Sequence, residues 1–386
     1  MSKPFIPYGR QLIEDDDIAA VVEVLRGDWL TTGPTVGKFE EAFAGYVGAQ
    51  HAVAVSNGTA ALHLAMLAAG IGPGDEVIVP ALTFAASANC VRYVGATVVF
   101  ADVRDDTLTI DPAHAASLVT PRTKAIVAVD YAGLPCDLDE LLAICERHGL
   151  LLVEDACHAP GAEYRGRRIG SIAHLSTFSL HPVKHMTSGE GGVVTANDRH
   201  LADRVRMLRN HGITSDHRQR EQQGTWRYDM VELGFNYRLP DIQCALALSQ
   251  LRKMPAWLER RRAIAKRYHD SLTGLASELR LPVEPADRRH AWHLYAVRLA
   301  GPAPAAARQR LFNGLRAANI GANVHYLPVY LHPYYEALGY RPGLCPVSEL
   351  AYQGLLSLPM WHGMTGAQQD AVLGALTEEL SRAATE

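Results

Sequence analysis

The sequence predicts an α/β protein: a large, mostly parallel sheet with helices on both faces, followed by a smaller α+β region. Three observations lead there. Between about residues 50 and 200, short Val/Ile-rich runs alternate with longer helical segments. Those runs are apolar throughout rather than alternating, as strands buried on both faces must be. Past about residue 200 the pattern changes to one long helix and then to mixed strand and helix. A chain of 386 residues also exceeds one ordinary core, which places a large domain with an N-terminal arm over 1–250 and a small α+β domain over 251–386.

In order along the chain, residues 76–80 (EVIVP), 97–102 (TVVFAD), 124–131 (KAIVAVDY) and 150–156 (LLLVEDA) read as buried strands. Residues 59–69 and 138–148 read as helices between them. The runs 175–180 (LSTFSL) and 192–196 (GVVTA) lie closer together and are expected to pair as neighbours around a turn. Residues 214–224 (TSDHRQREQQG) are polar and unpatterned, which suits a surface loop. A long helix is expected over 241–272, then a strand over 291–299, a helix over 305–318, a strand over 322–329 and a helix after 365. No internal repeat or low-complexity segment interrupts this plan.

Composition narrows the function. With 48% hydrophobic and 20% charged residues, the chain has the make-up of a globular protein without disordered tails. A net charge of −4 provides no general attraction to nucleic acid or anionic lipid. The local run Arg260, Arg261 and Arg262 is expected to be a solvated helix face. The six cysteines are scattered singly without a CxxC pair, which argues against a disulfide scaffold or a structural zinc and for a reducing, cytoplasmic setting. The start, Met1-Ser2-Lys3-Pro4, lacks the apolar core of a signal peptide. Residues 52–70 are apolar but broken by Ser56, Asn57, Thr59 and His63, too polar to span a bilayer.

Three stretches carry chemistry. Where a strand ends and a helix begins stands Ser56-Asn57-Gly58-Thr59-Ala60-Ala61-Leu62. Free N–H groups at a helix N-terminus, beside a residue small enough for close approach, make a phosphate cup, to which Thr59 adds a hydroxyl. An ordinary capped helix is the plain alternative. Next, in 153–158 (VEDACH), Asp155 closes an apolar strand, at the end where ligands collect in parallel sheets. A buried carboxylate there needs a cation; a protonated pyridine nitrogen would serve and would keep the ring electron-withdrawing. Capping of the following turn is the alternative. Third, Lys184 lies between the run 175–180 and the glycine-rich turn 188–192. A lone lysine is ordinarily a solvated charge. In an enclosed, partly apolar pocket its pKa falls, and the neutral amine can form a Schiff base.

The order of cup, acid and lysine points to pyridoxal 5′-phosphate. No Gly-x-Gly-x-x-Gly follows a strand and no Gly-x4-Gly-Lys-Ser/Thr occurs, so nicotinamide and P-loop chemistry lack support. His181 and His185 have the spacing of a metal pair, but Pro182 puts them in a turn rather than on one helix face, and no metal is expected.

These residues sit in a longer series of motifs: PYGRQ near the start, DWLTTGP (28–34), SNGTAALHLA, TFAASAN (83–89), VEDACHAPGAEYRGRRIG, TFSLHPVKHMTSGEGG, GFNYRLPDIQCALALSQL and NVHYLPVYLHPYY. Over essentially its whole length the chain resembles the DegT/DnrJ/EryC1/StrS sugar aminotransferases, which are fold-type I pyridoxal-phosphate enzymes of the aspartate aminotransferase-like architecture. Within that group, HPVKH-x-T-x-GEGG with VDYAGLPCD and NVHYLPV is most similar to the branch that makes UDP-4-amino-4,6-dideoxy-N-acetyl-β-L-altrosamine, a precursor of pseudaminic acid.

The resemblance implies roles. Lys184 would carry the cofactor and then move the proton between substrate and cofactor carbons. Asp155 would pair with the pyridine nitrogen, His158 would contact the phenolic oxygen, and Phe84 would stack on the ring. Gly58, Thr59, Ala60 and Ser179 would hold the phosphate. Asn236 matches a residue that reaches into the partner subunit's site, implying a homodimer. Tyr8, the segment Asp28, Trp29, Leu30 and Thr31, and the segment Asn323, Val324, His325 and Tyr326 match stretches lining the sugar-nucleotide cleft. The implied reaction moves an amino group from L-glutamate to the C4 ketone of a UDP-linked 4-keto-6-deoxy sugar. The alternatives are another ketone (GDP- or dTDP-linked, C3 or C4) and a non-catalytic regulator. Relatives with histidine in place of the lysine act as dehydratases, against which Lys184 speaks. Leu180 replaces a usual Phe, and Pro160 stands where Leu is frequent; both border the site and bear on substrate fit.

Overall fold

The computed structural model describes residues 4–215, 220–221 and 224–385. Residues 1–3, and 216–219 and 222–223 of the expected polar loop, lie outside the described residues.

Seven strands form the main sheet: β1 (His51–Val55), β2 (Glu76–Pro80), β3 (Thr97–Ala101), β4 (Thr123–Val129), β5 (Leu151–Asp155), β8 (Leu175–Ser179) and β9 (Gly192–Ala196). Their order is β1-β9-β8-β5-β4-β2-β3. All pairings are parallel except those of β9, which runs antiparallel to both β8 and β1. The expected pairing of 175–180 with 192–196 is thus present, with Ser179 opposite Gly192. Two small sheets complete the set: β6 (Glu163–Tyr164) and β7 (Arg167–Arg168) with β11 (Arg288–Arg289), and β10 (Leu279–Arg280) with β12 (Tyr295–Leu299) and β13 (Leu355–Leu358).

The helices are α1 (Asp15–Arg26), α2 (Pro34–Val47), α3 (Gly58–Ala68), α4 (Ala86–Tyr93), α5 (Pro112–Ser117), α6 (Leu138–His148), α7 (Arg199–Leu208), α8 (Asp241–Leu272), α9 (Pro304–Ala317), α10 (Pro333–Ala337), α11 (Pro346–Gly354) and α12 (Gly366–Thr385). Period-two strand geometry explains how they cover the sheet. Ile78, Ile126 and Leu152 point to one face, into a core shared with Phe39, Phe43 and Leu258. Their neighbours Val77, Val79, Val127 and Val153 point to the other, against Leu62, Leu64 and Val205. Because both faces are buried, the strands read as unbroken apolar runs. The C-terminal half of α8 (Ile264, Ala265, Tyr268, Leu272) leaves this core and joins a third cluster with Val297, Leu356, Leu315 and Leu376.

Three expectations are corrected. Residues 322–329 do not form a strand; only Asn323 bridges to Ser357. The reason is local: the Asn323 side chain accepts from the next backbone N–H, of Val324, at 2.8 Å, and Pro328 brings no donor for a ladder. The strand expected at 291 begins at Tyr295, because Trp292 has φ +52 and turns the chain. Finally, Arg261 is not on a solvated face but is wholly buried, at 0% exposure.

Candidate active site

The strands that carry the candidate residues end at one edge of the sheet. β1 leads through Ser56-Asn57 into α3, β5 ends on Asp155 and β8 on Ser179. The connection from β8 to β9 carries Lys184. A cavity of about 810 Å³ lies over this edge. Gly58, Thr59, Ala60, Phe84, Asp155, His158, Ser179 and Lys184 line it, with Tyr8, Asn323, Val324, His325 and Tyr326 from the N-terminal arm and the 322–329 segment. So residues more than a hundred positions apart face one space, at the strand ends where open α/β sheets bind ligands.

The cup is built by close approach. Asn57 caps α3 by accepting the Ala60 N–H at 2.8 Å, which leaves the earlier N–H groups of the first turn without intrahelical partners. A Cβ on Gly58 would stand 2.9 Å from Ser179 Cβ and 3.3 Å from Cys157 Sγ. A Cβ on Gly192 would stand 2.5 Å from the Asn57 carbonyl oxygen and 2.9 Å from Gly58 N. Glycine at both positions lets β8, β9 and the head of α3 converge, with the free N–H groups of the first turn of α3 at the point of approach.

Asp155 is 6% exposed. Its Oδ2 accepts from Ser87 Oγ at 2.6 Å, and its Oδ1 from the Cys157 N–H at 3.2 Å. Ser87 in turn bonds Thr83 Oγ1 at 2.8 Å. Both donors to the carboxylate are neutral, so a protonated ring nitrogen is a fitting partner for it. Lys184 is partly buried on the same wall; loss of solvation lowers its amine below the ordinary lysine range, with Cys157 and Asp155 opposing. Neutral amine is thereby more accessible than on a surface lysine. A cup, a buried acid and a lysine of depressed pKa around one cavity fit the phosphate, ring nitrogen and aldehyde of pyridoxal phosphate.

Four aromatic groups, His158, Tyr326, His325 and Phe84, close the space. His158 is buried, its Nε2 3.3 Å from the Tyr326 hydroxyl, and burial together with Lys184, His325 and His185 pushes it far below the usual histidine range. His325 Nδ1 lies 2.8 Å from Ser357 Oγ, and its carbonyl accepts from Tyr131. Burial, then Lys184, pushes its ring down to about 4. Phe84 is 57% exposed at the mouth, its ring 5.8 Å from that of Tyr326.

Five expected residues do not line this cavity. Asp28, Trp29, Leu30 and Thr31 lie exposed between α1 and α2. They are held there by α8: the Asp241 N–H donates to the Leu30 carbonyl at 3.0 Å, and the Asp241 carboxylate accepts from Gly33 and Thr35. Asn236 is likewise exposed and bridges to Asn210. Conversely, Ser87 and Thr83 join the site without any mark in the sequence. They lie inside the 83–89 motif at i, i+4 on the turn entering α4, but nothing local says that Ser87 meets Asp155, 68 residues on.

Comparison with known proteins agrees with this geometry. The sequence pattern of the DegT/DnrJ/EryC1/StrS aminotransferase family matches residues 11–377. The chain is 42% identical over 377 residues to the spore coat polysaccharide biosynthesis protein SpsC of Bacillus subtilis strain 168, covering 97% of each. Its structure superposes on that of Spr1654 of Streptococcus pneumoniae, described as a sugar aminotransferase, in its PMP form with TM-score 0.93 and 31% identity, covering 98% of this chain and 99% of that one. The same relative is also solved in its PLP form. PseC of Helicobacter pylori, an aminotransferase involved in the biosynthesis of pseudoaminic acid, matches with TM-score 0.91 and 29% identity over 98% and 100% of the two chains. The chain belongs to the DegT/DnrJ/EryC1/StrS aminotransferase family, with the fold-type I architecture and pyridoxal 5′-phosphate as its cofactor.

Proposed function

We propose that the chain is a sugar aminotransferase that moves an amino group from L-glutamate to the C4 ketone of UDP-2-acetamido-2,6-dideoxy-β-L-arabino-hexos-4-ulose, within pseudaminic acid synthesis. The observation that carries the reading is the meeting of Lys184 and Asp155 in one cavity at the sheet edge. The likeness to PseC supports the choice of sugar. A different nucleotide-linked ketone remains the alternative, since SpsC, of spore coat polysaccharide synthesis, is also a near relative.

In this reading Lys184 would hold the cofactor, Asp155 its ring nitrogen, Gly58, Thr59, Ala60 and Ser179 its phosphate, with His158 and Phe84 beside the ring. The cofactor, when bound, supplies an electron sink for charge developing at the reacting carbon. Lys184 Nζ then acts as general base at the donor's α-carbon and later as general acid at C4 of the sugar, and its depressed pKa suits both tasks. Ser87 and the Cys157 N–H keep the Asp155 carboxylate aimed. Tyr8, Asn323, Val324, His325 and Tyr326 exclude water from the sugar side.

A homodimer accounts for the five residues outside the cleft. Thr32, next to the 28–31 segment, and Asn210, the bridge partner of Asn236, border a second cavity of about 1070 Å³. Nearby in sequence, Trp226 and Leu233 are 87% and 77% exposed, a poor state for such side chains in water. A second copy would cover this face and receive Asn236 and Asp28–Thr31 into its own cleft. Among the described residues no helix is long and apolar enough to cross a membrane, which suits cytoplasmic work on a soluble nucleotide sugar.

The test is the visible spectrum of purified protein with pyridoxal phosphate. Glutamate should bleach the band of the lysine-bound cofactor and the keto-sugar should restore it. Bleaching without restoration would keep the aminotransferase and reject this sugar. Absence of the band would reject the role of Lys184. Light scattering of the same sample should give twice the 42.1 kDa chain mass; a monomer that turns over would overturn the shared-site reading.

A further inference from the structure

We propose that Arg261 is a positioning residue for the reaction: through the carbonyls of Trp292 and His293 it holds the 290–294 turn, whose His293 ring backs His158 beside Lys184. The inference rests on the reading of Lys184 as the residue that bears the cofactor.

Arg261 comes from α8 and does not reach the cavity. Its Nη1 donates to the carbonyl oxygens of Trp292 at 3.0 Å and His293 at 3.3 Å, while its Nε and Nη2 have no protein partner among the described residues. Burying a guanidinium this incompletely paired costs several kcal/mol, and an apolar side chain of similar volume would fill the space more cheaply. Its contacts therefore point to a task other than packing.

The turn it grips is a strained one. Trp292 has φ +52, a left-handed conformation that a bulky residue adopts only when its surroundings impose it. The Trp292 N–H donates to His290 Nδ1 at 2.8 Å, and the two rings stack 3.9 Å apart. On the other side the turn is tied to the chain after β4: His293 and Leu294 N–H both donate to the Ala132 carbonyl, and Ala291 N–H to that of Gly133. Arg261 closes this knot from the α8 side.

Two routes lead from the knot to the site. The His293 ring lies 4.3 Å from the ring of His158, which lines the cavity. The Ala291 carbonyl lies 2.8 Å from Nε2 of His185, the neighbour of Lys184 in the chain. The groups around His158 are thus Lys184, His185, His293, His325 and the Tyr326 phenol. A displaced 290–294 turn would move the support of His158 and the backbone next to Lys184 together.

The test compares Arg261→Met, Arg261→Lys and His293→Phe with the parent, all as holoenzymes, by pH titration of the visible band of the Lys184-bound cofactor, with thermal melting and kinetics alongside. Arg261→Met and His293→Phe should each move the titration midpoint by about 0.5 pH unit or more and lower kcat about tenfold or more. Arg261→Lys, which keeps one charged donor, should recover most of that shift. Variants that melt earlier but titrate like the parent would make Arg261 purely structural and overturn the proposal. Should Arg261→Met not fold, an unmoved midpoint in His293→Phe overturns it equally, and a moved one upholds it. A parent without the band would bring down the reading of Lys184 as well, whereas unmoved variants bring down this inference alone.

Discussion

At the scale of single residues, Asp155 closes the apolar run of β5, whereas Lys184 stands in the connection from β8 to β9, after the end of β8 at Ser179. In the proposed reading, replacing Lys184 with Ala would remove the base and the anchor at once, so turnover with glutamate should fall about 10⁴-fold. A steady-state assay showing near-normal rates would end the assignment. Ser87 is a subtler case. Its hydroxyl donates to a buried carboxylate at 2.6 Å, a bond to a charged group contributing about 1.5–3 kcal/mol. Ser87→Ala should therefore lower kcat/KM about tenfold and lower the melting temperature as well; an unchanged kcat/KM would mean that the reaction does not need this bond to Asp155. Arg261 shows the limit of reading a charge run by its composition. Of three adjacent arginines, the helical turn sends one inward, and only the packing of α8 against the 290–294 turn says which.

At the scale of elements, α6, α8, β2 and β9 begin and end where the sequence pattern places them, since apolar periodicity and, for α6, the left-handed Gly149 at its end act locally. The segment 322–329 does not, because Asn323 bonds the next backbone N–H and residues 323–326 line the cavity rather than a ladder. The junction of β1, β9 and α3 carries a prediction of its own. A methyl group at position 192 would meet the Asn57 carbonyl carbon at 2.6 Å, and backbone there cannot yield without opening the cup. Gly192→Ala should fold, at a cost of about 1–3 kcal/mol, yet bind pyridoxal phosphate about tenfold more weakly in a fluorescence titration. Parent-like affinity would show that the cup tolerates displacement.

Across the whole molecule, an unusual number of titratable groups are buried. Burial holds His290 and His362 down at about 3 and His325 at about 4, and it pushes His158, His185 and His293 far below their usual range. Unfolded, each would take a proton near pH 6.5. Their folded values lie below the unfolded one, so their contribution is complete above pH 6.5 and is lost as pH falls towards the folded values, at about 1.4 kcal/mol per pH unit for each ring. Glu154, raised to about 7 by burial, and Asp130, raised for the same reason, act in the opposite sense. With His63 and His174 also lowered by burial, eight rings against these two carboxyls should make the protein acid-labile. His362 stacks on Trp257 at 4.1 Å and lies outside the cavity lining, so His362→Phe isolates one share. Its stability relative to the parent should improve by about 2 kcal/mol between pH 8 and pH 5. Urea melts showing a constant difference would disprove the assignment.

What the sequence by itself determined was most of the strands and helices between about residues 50 and 200, the mostly parallel sheet, and the placing of Gly58, Asp155 and Lys184 at or after the ends of buried strands. Those features follow from hydrophobic periodicity and turn chemistry within about ten residues of each position. The tertiary structure alone decided that Ser87 supports Asp155, that Arg261 turns inward, that 322–329 lines a cleft instead of pairing, and that Asn236 and Asp28–Thr31 face away from their own chain's cavity. Each of these depends on contacts between segments tens to hundreds of residues apart, and their free energies are set by who the neighbour is, not by local pattern.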